Sequence, residues 1–501
     1  MKFSLSWLKL HLNTEASLDE ITERLTMLGL EVEAVIDRGA ELADFTVGYV
    51  IEATPHPNAD SLRVCRVDTG RGEVQVVCGA PNARTGMKGV FAGSGLTIPG
   101  TGLKLKKTRI RDVESNGMLC SEREMGLGDD HDGIIDLPDD AVVGEPFAPL
   151  MGLDDPVIDI AITPDRGDCL GVYGIARDLA AAGLGALKPL DNTALSGGFD
   201  SPIDVHLDSE AQTPGACPYF IGRYIRGVTN RPSPKWLQDR LLSVGLRPIS
   251  ALVDITNWMT LDLGRPAHVF DAAKVAGDIR VRLARAGETM LALDGRDYKL
   301  DETMTCITDD NGVIGFGGVM GGEGSGCTEG TTDVFLEIAL FDPVRTAATG
   351  RALAIKSDAR YRFERGVDAA FMAAGEETAT RLIIELCGGE PSHAVVAGGP
   401  PDGARELPFR VERVASLGGV EIVADTCGAI LTSLGFTVSD GSVTVPSWRP
   451  DIEMESDVVE EVLRVHGFDR IPPLSMPRAQ GVARPVLTTG QRRERWAKRA
   501  L

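Results

Sequence analysis

Apolar residues return at helical spacing in "SLDEITERLTMLGLEVEAV", where Leu18, Ile21, Leu25 and Leu28 fall on one face. Ser17 followed three residues later by Glu20 predicts an N-cap, and Gly29 predicts a left-handed stop before a strand. The segment "LTSLGFTV" at Leu431–Val438 resembles "LTMLGLEV" at Leu25–Val32, so a second helix, glycine and strand unit is expected far downstream. Between them, "FTVGYVIEATPHPNADSLRVCRVDTGRGEVQVVCGAPNARTGMKGVFAGSGLTIPG" alternates short Val-rich runs with Gly, Pro and Asn turns. That is the pattern of a small, closed or nearly closed β-barrel, running from about residue 39 to about residue 148.

"VIDIAITPDRGDCLGVYGIARDLAAAGL" then predicts a strand, a turn and an amphipathic helix with Val172, Ile175, Leu179 and Ala180 inward. This piece, residues 149–200, completes the first module begun in residues 1–38. The linker-like "LSGGFDSPIDV" and "VAGGPPDGAREL" bound a central α/β domain at 205–395. Residues 400–475 form a last module, in which "SDVVEEVLRVHGF" turns Val458, Val459, Val462 and Leu463 inward. From 476 the chain becomes basic and stops in "TGQRRERWAKRAL", a helical pattern without a cap of its own.

A chain of 501 residues is too long for one core, and 43% apolar with 25% charged residues places it among multidomain globular proteins. No run of eighteen uncharged apolar residues occurs, and the start turns polar before a signal-peptide pattern can form, so a cytoplasmic location is expected. Nine cysteines without a C-x-x-C pair fit reduced, buried thiols. A net charge of −22 excludes a broad nucleic-acid-coating surface but permits the local basic strips "LKLKKTRIR" and "QRRERWAKRAL".

Three stretches could carry chemistry. "RPDIEMESDVVEEV" puts six carboxylates in fourteen residues; Asp457, Glu460 and Glu461 share a helix face, with Asp451 able to fold back over the first turn. An oxygen-only set without a twelve-residue calcium loop points to Mg²⁺, whereas acids drawn to a helix start by its dipole are the plainer reading, and Glu453 and Glu455 are ordinary surface charges. "LKLKKTRIR" reads as a strand displaying Lys104, Lys106, Lys107, Arg109 and Arg111 to a polyanion, or as a lysine-protected edge strand. In the central domain "VDITNWMTLDLGRPAHVFDAAKV" puts Thr256, Asn257 and His268 near loops, and "GFGGVMGGEGSGC" places a glycine-lined turn before Glu337; a pocket binding a hydroxyl or orienting a water is one reading, structural residues the other.

Taken in order, "SWLKLHL", "VVCGAPNARTGMKGVFAGSG", "ITPDRGDCLGVYGIARDLA", "VDITNWMTLDLGRPAHVFD", "GGVMGGEGSG", "RFERGVD" and "WRPDIEMESDVVEEVLRVHGFDRIP" resemble the β subunit of bacterial-type phenylalanyl-tRNA synthetase over nearly the whole chain. The resemblance implies a multidomain α+β fold: an OB-type tRNA-binding barrel inserted in an N-terminal α/β module, a central α/β editing domain, and a C-terminal winged-helix-like module that meets an α subunit. It implies an (αβ)₂ heterotetramer that attaches phenylalanine to tRNA(Phe) with ATP bound in the α subunit, while this chain hydrolyses mischarged Tyr-tRNA(Phe). By resemblance, Asp451, Asp457, Glu460 and Glu461 hold Mg²⁺, and His268 and Glu337 recognise the tyrosine hydroxyl with Thr256 and Asn257 along the pocket wall. The sequence departs from the family at "RALAIKSDARY", and the family's synthetase-like region and RNA-binding C-terminal domain do not follow Leu501, so a truncated chain is expected. A structured-RNA-binding module without ligase activity is the alternative; a self-contained Mg²⁺ hydrolase is disfavoured because no phosphate loop or nucleophile accompanies the acids.

Overall fold

The computed structural model describes all residues except 192, 210–212, 402, 403, 474 and 476–485, so the start of the basic tail lies outside the described residues. The first module is a three-stranded antiparallel sheet in which Val157–Ile160 lies between Lys2–Ser4 and Val32–Ile36. Because the middle strand comes last in sequence, the chain between Ile36 and Val157 is an insertion. The helix Leu18–Met27 begins with the reciprocal Ser17–Glu20 cap and is followed by Gly29 at φ +83. Ile21, Leu25, Leu28, Val172, Ile175 and Leu179 are buried together with Phe3, Trp7 and Ile158.

That core does not end at the module. Trp7 stacks on Trp258 at 4.7 Å, and the same apolar cluster runs on through Leu252, Ile255, Ala379 and Ile383 of the central domain. The expected separate units are therefore joined by a continuous interior.

The insertion is a five-stranded antiparallel sheet with spatial order Met118–Leu119, Lys88–Ala92, Thr46–His56, Ala59–Asp68, Glu73–Cys78. Its two edges are tied where Asn116 N donates to Gln75 O (2.8 Å) and Val77 N to Ser115 Oγ (3.0 Å). The basic strip is not one strand, contrary to the expectation. Lys104 makes a single bridge to Thr97, Leu105 turns into the core, and only Thr108–Ile110 pairs, with Val113–Ser115. The chain reverses at Arg111 and Asp112, at φ +45 and +73, which breaks the alternation a longer strand needs. Lys104, Lys106, Lys107 and Arg109 are all exposed, with Lys107 Nζ 2.6 Å from Glu114 Oε1.

Two larger sheets build the central domain, beside a short hairpin of Thr289–Leu291 and Asp297–Lys299. One runs Val205–His206, Ile279–Leu283, Thr305–Asp309, Gly312–Phe316, Met320–Gly321; the other has Asp333–Leu340 between His268–Asp271 and Tyr219–Arg226. "VFLEIAL" is a near-continuous apolar run because this strand is covered on both faces. Phe335 and Ala339 pack toward the first sheet, Val334 and Leu336 toward the helices Ala251–Leu263 and Met372–Cys387. Glu337 is the one charged residue within that run.

The last module has a three-stranded sheet, in spatial order Glu406–Pro408, Ser442–Thr444, Thr437–Ser439, and the helices Val411–Gly418, Ala424–Ser433 and Glu455–His466 around their own apolar cluster. Val458, Val459, Val462 and Leu463 are buried in it. The predicted repeat of helix, left-handed glycine and strand is present at Gly435, φ +93. The basic helix Thr489–Ala500 does carry a cap, from Thr488 and Gln491, a signal overlooked in "TTGQ". All nine cysteines are free thiols, eight of them buried.

A Cβ at Gly435 would lie 2.4 Å from Trp448 Cζ2 on a backbone that disfavours side chains. Gly435→Ala is expected to lower unfolding free energy by about 1–3 kcal/mol in a denaturant titration.

Candidate functional site

The register of the second central sheet puts His268 directly opposite Glu337. Pairing across an antiparallel ladder points both side chains to one face, here into an apolar cavity of about 70 Å³. Phe270, Phe316, Met320, Phe341 and Phe363 wall it, and the backbone of Gly321 closes against the imidazole. A Cβ at Gly321 would sit 2.6 Å from His268 Cε1, so the ring fits only beside a residue without a side chain. His268 also meets Phe270 edge-on at 4.4 Å.

Neither polar group is compensated. Among the described residues His268 Nε2 and Glu337 Oε2 have no hydrogen-bond partner. Burial pulls the imidazole down to about 4. It also pushes the Glu337 carboxyl up to about 8, against the opposing pull of Arg265. Near neutral pH the site therefore holds a neutral imidazole and a protonated carboxyl, two groups that can each donate to or accept from a ligand hydroxyl. No nucleophile stands beside a base, which leaves binding and orientation as the contribution of these side chains.

Thr256 and Asn257 do not join this site. Expected near loops, they lie within the helix Ala251–Leu263; Thr256 Oγ1 donates to Val253 O at 2.8 Å, and neither residue lines the cavity. Arg265, by contrast, escaped the sequence reading although it stands three residues before His268 in "GRPAH". It is buried, and Nη2 donates to Ala339 O and, at 2.8 Å, to Met372 Sδ, while Nε and Nη1 have no partner among the described residues. The divergent "RALAIKSDARY" supplies part of the wall: Ala359 lines the cavity, and Ser357 Oγ donates to Val319 O at 2.6 Å.

The acidic stretch is arranged differently from a ligand set. Arg449 grips Asp451 through Nε (2.9 Å) and Nη2 (2.7 Å) and reaches Glu461 Oε2 with Nη1. Arg464 donates to both oxygens of Glu461, at 2.9 and 2.6 Å, and to both of Asp178, at 2.7 and 3.1 Å. Arg166 continues the chain of pairs from Asp178 to Asp168. Burial alone would raise the Glu461 carboxyl, yet Arg464 and Arg449 hold it well below the usual carboxylate range. Asp457 caps the helix instead, Oδ2 accepting from Glu453 N and Met454 N, both at 2.9 Å.

Only Glu460 keeps the like-charge environment the sequence suggested: partial burial, then Glu461, Asp165 and Asp457, raise its carboxyl. Glu455 is no free surface charge, being paired with Arg410 and Arg413. Among the described residues no group of three or more His, Cys, Asp or Glu is placed to hold a metal ion. The four carboxylates thus do not fit an all-acid Mg²⁺ cage, because guanidinium groups already occupy the oxygens of Asp451 and Glu461. Of the guanidinium groups that hold these acids, Arg449 opens the stretch and Arg464 lies just beyond its end.

Three family descriptions match the chain: a putative tRNA binding domain at residues 45–146, a B3/4 domain at 216–388 and a tRNA synthetase B5 domain at 407–468. Along all of its length the chain is 55% identical to a phenylalanine–tRNA ligase beta subunit of Paramagnetospirillum magneticum, 56% to that of Rhodospirillum rubrum and 57% to that of Cereibacter sphaeroides. It spans 63% of the length of each of these relatives.

Removing the charge of Glu461 leaves Arg449 and Arg464 buried and underpaired. Glu461→Gln is expected to destabilise by about 3–5 kcal/mol in chemical unfolding, with or without EDTA. Because the folded carboxyl is depressed, its contribution is present above the ordinary carboxylate range and is lost as pH falls through the depressed value.

Proposed function

From a chain homologous over its whole length to phenylalanine–tRNA ligase beta subunits, with tRNA-binding, B3/4 and B5 domains, we propose a proofreading function at the His268–Glu337 cavity. The substrate is mischarged Tyr-tRNA(Phe), and the reaction is hydrolysis of its aminoacyl ester. One observation carries the reading: an imidazole and a carboxyl face each other across adjacent strands inside an apolar cavity, with an atom of each lacking a partner. A tyrosine hydroxyl supplies that partner, whereas phenylalanine brings its ring into the same cavity and leaves both groups unsatisfied. Selectivity arises from the mismatch, and correctly charged product is spared. No general base is assigned to a side chain, so water orientation falls to substrate groups and backbone.

In the same proposal the chain supports ATP-dependent attachment of phenylalanine to tRNA(Phe) in the cytoplasm, through an α subunit in an (αβ)₂ heterotetramer. The exposed Lys104, Lys106, Lys107 and Arg109 contact tRNA phosphates. Among the described residues no helix is long and apolar enough to cross a membrane. Mg²⁺ enters only with fewer ligands than expected: Asp457 and Glu460, the carboxylates not engaged by arginine, are the residues that would meet it, at a position where phosphates or water complete the shell.

Release of tyrosine from Tyr-tRNA(Phe) tests the reading. His268→Ala or Glu337→Ala is expected to slow release by about 10–100-fold, the worth of one buried hydrogen bond. Release in the parent should hold between the values that bound the neutral pair, about 4 for His268 and about 8 for Glu337, and decline above the latter. Binding of the tRNA with no release, in the parent itself, would instead favour an RNA-binding module without catalysis.

A further inference from the structure

A guanidinium buried without a full set of partners needs a reason, because arginine cannot shed its charge as lysine or histidine can. Arg265 is 1% exposed, and two of its three nitrogens have no partner among the described residues. A methionine would fill similar space without charged atoms. The surroundings show what the charge faces. Arg265 leaves the helix Ala251–Leu263 just after the left-handed Gly264 and runs beside the Glu337 strand, its Nη2 on the carbonyl of Ala339, two residues from Glu337. Phe363, a wall of the cavity, lies under the guanidinium at 5.6 Å, and Met372 packs against it from the helix behind. The ionisable groups around it are Asp368, Glu337 and Cys217, with His268 facing Glu337 across the ladder.

We propose that Arg265 is a positioning residue for Glu337, a fixed cation held behind the cavity wall that sets how readily this carboxyl ionises and so tunes the hydroxyl-recognising state of the site. This rests on the proofreading reading for its purpose, but not for its test. Burial drives the Glu337 carboxyl toward its neutral form, and Arg265 opposes that drive. The same burial, resisted by Asp368 and Glu337, weakens the guanidinium's own hold on its proton, to about 10. The two groups thus moderate each other without a direct hydrogen bond. Neither completes a salt bridge that would lock the carboxyl as an anion. The consequence is a carboxyl whose neutral form burial favours and a nearby cation opposes.

The test is a titration of Glu337 in the whole chain labelled with carbon-13 at glutamate carboxyls, the resonance being assigned by its loss in Glu337→Gln. The parent is expected to show a midpoint near 8. Arg265→Met should raise it by about one pH unit or more, and Arg265→Lys, which keeps a cation, should return it toward the parent. An unmoved midpoint in Arg265→Met overturns the proposal. If that variant does not fold, Arg265→Gln, which removes the charge and keeps a donor for the Ala339 carbonyl, decides in its place: a raised midpoint supports the proposal, and one within about half a unit of the parent overturns it. The pH profile of tyrosine release should move with the midpoint. Absence of release at every pH, with the midpoint shifted, would sink the proofreading reading and leave the coupling standing.

Discussion

The chain of buried ion pairs Asp451–Arg449–Glu461–Arg464–Asp178–Arg166–Asp168 is the contact on which the relative placement of the first and last modules depends. Seven charged groups shielded from water would each be unaffordable alone. Strung together they satisfy one another, and the geometry that does so is narrow, so the contact specifies one docking of the modules more than it adds stability. Arg464 also donates to Leu28 O, at the end of the helix Leu18–Met27, and Arg177 lies 4.1 Å over Trp448 beside the junction. The helix Glu455–His466 is thereby fixed against the first module, and the stacked pair Trp7 and Trp258 fixes that module against the central domain.

A different rule governs the cavity of the central domain. There an imidazole, a carboxyl and a guanidinium are sealed off with atoms left unsatisfied. The scaffold can hold them because the strand that carries Glu337 is covered on both faces and the ladder to His268 fixes its register. Such uncompensated burial lowers the stability of the free protein and is released when a ligand supplies the missing hydrogen bonds. Paired charges join the modules, and groups with unpaired atoms gather around the cavity.

Much of this was legible in the residues. Helical periodicity and the Ser17–Glu20 and Gly29 signals located the helix Leu18–Met27, and the run of short strands between about residues 39 and 148 could be read from turn chemistry, though not the order in which they pair. The His268–Glu337 pair could be suspected from glycines nearby, but its opposition across a ladder is a matter of register between segments nearly seventy residues apart, which local pattern does not encode. Thr256 and Asn257 misled because a polar pair within "VDITNWM" resembles a loop, although the helix is set by the apolar residues around it. The acidic stretch misled for the opposite reason. Its like charges are read locally, while Glu461 is neutralised by Arg449 and by Arg464, the latter just beyond the stretch and itself anchored by tertiary packing on Asp178, 286 residues away. The basic strip failed as a strand because the chain turns through left-handed backbone at Arg111 and Asp112, of which only the aspartate is a type that favours it.

Glu337 is held in its cavity at a cost to the stability of the folded chain. Thermal unfolding of Glu337→Met as a function of pH addresses it most directly. Since burial raises the folded carboxyl from 4.5 to about 8, the parent loses stability as pH climbs through that interval, whereas the methionine variant has nothing there to titrate. The variant is expected to melt higher than the parent at pH 8, by a margin that shrinks toward pH 4.5. A variant that melts lower across the whole interval would show Glu337 to be an ordinary structural residue and contradict it.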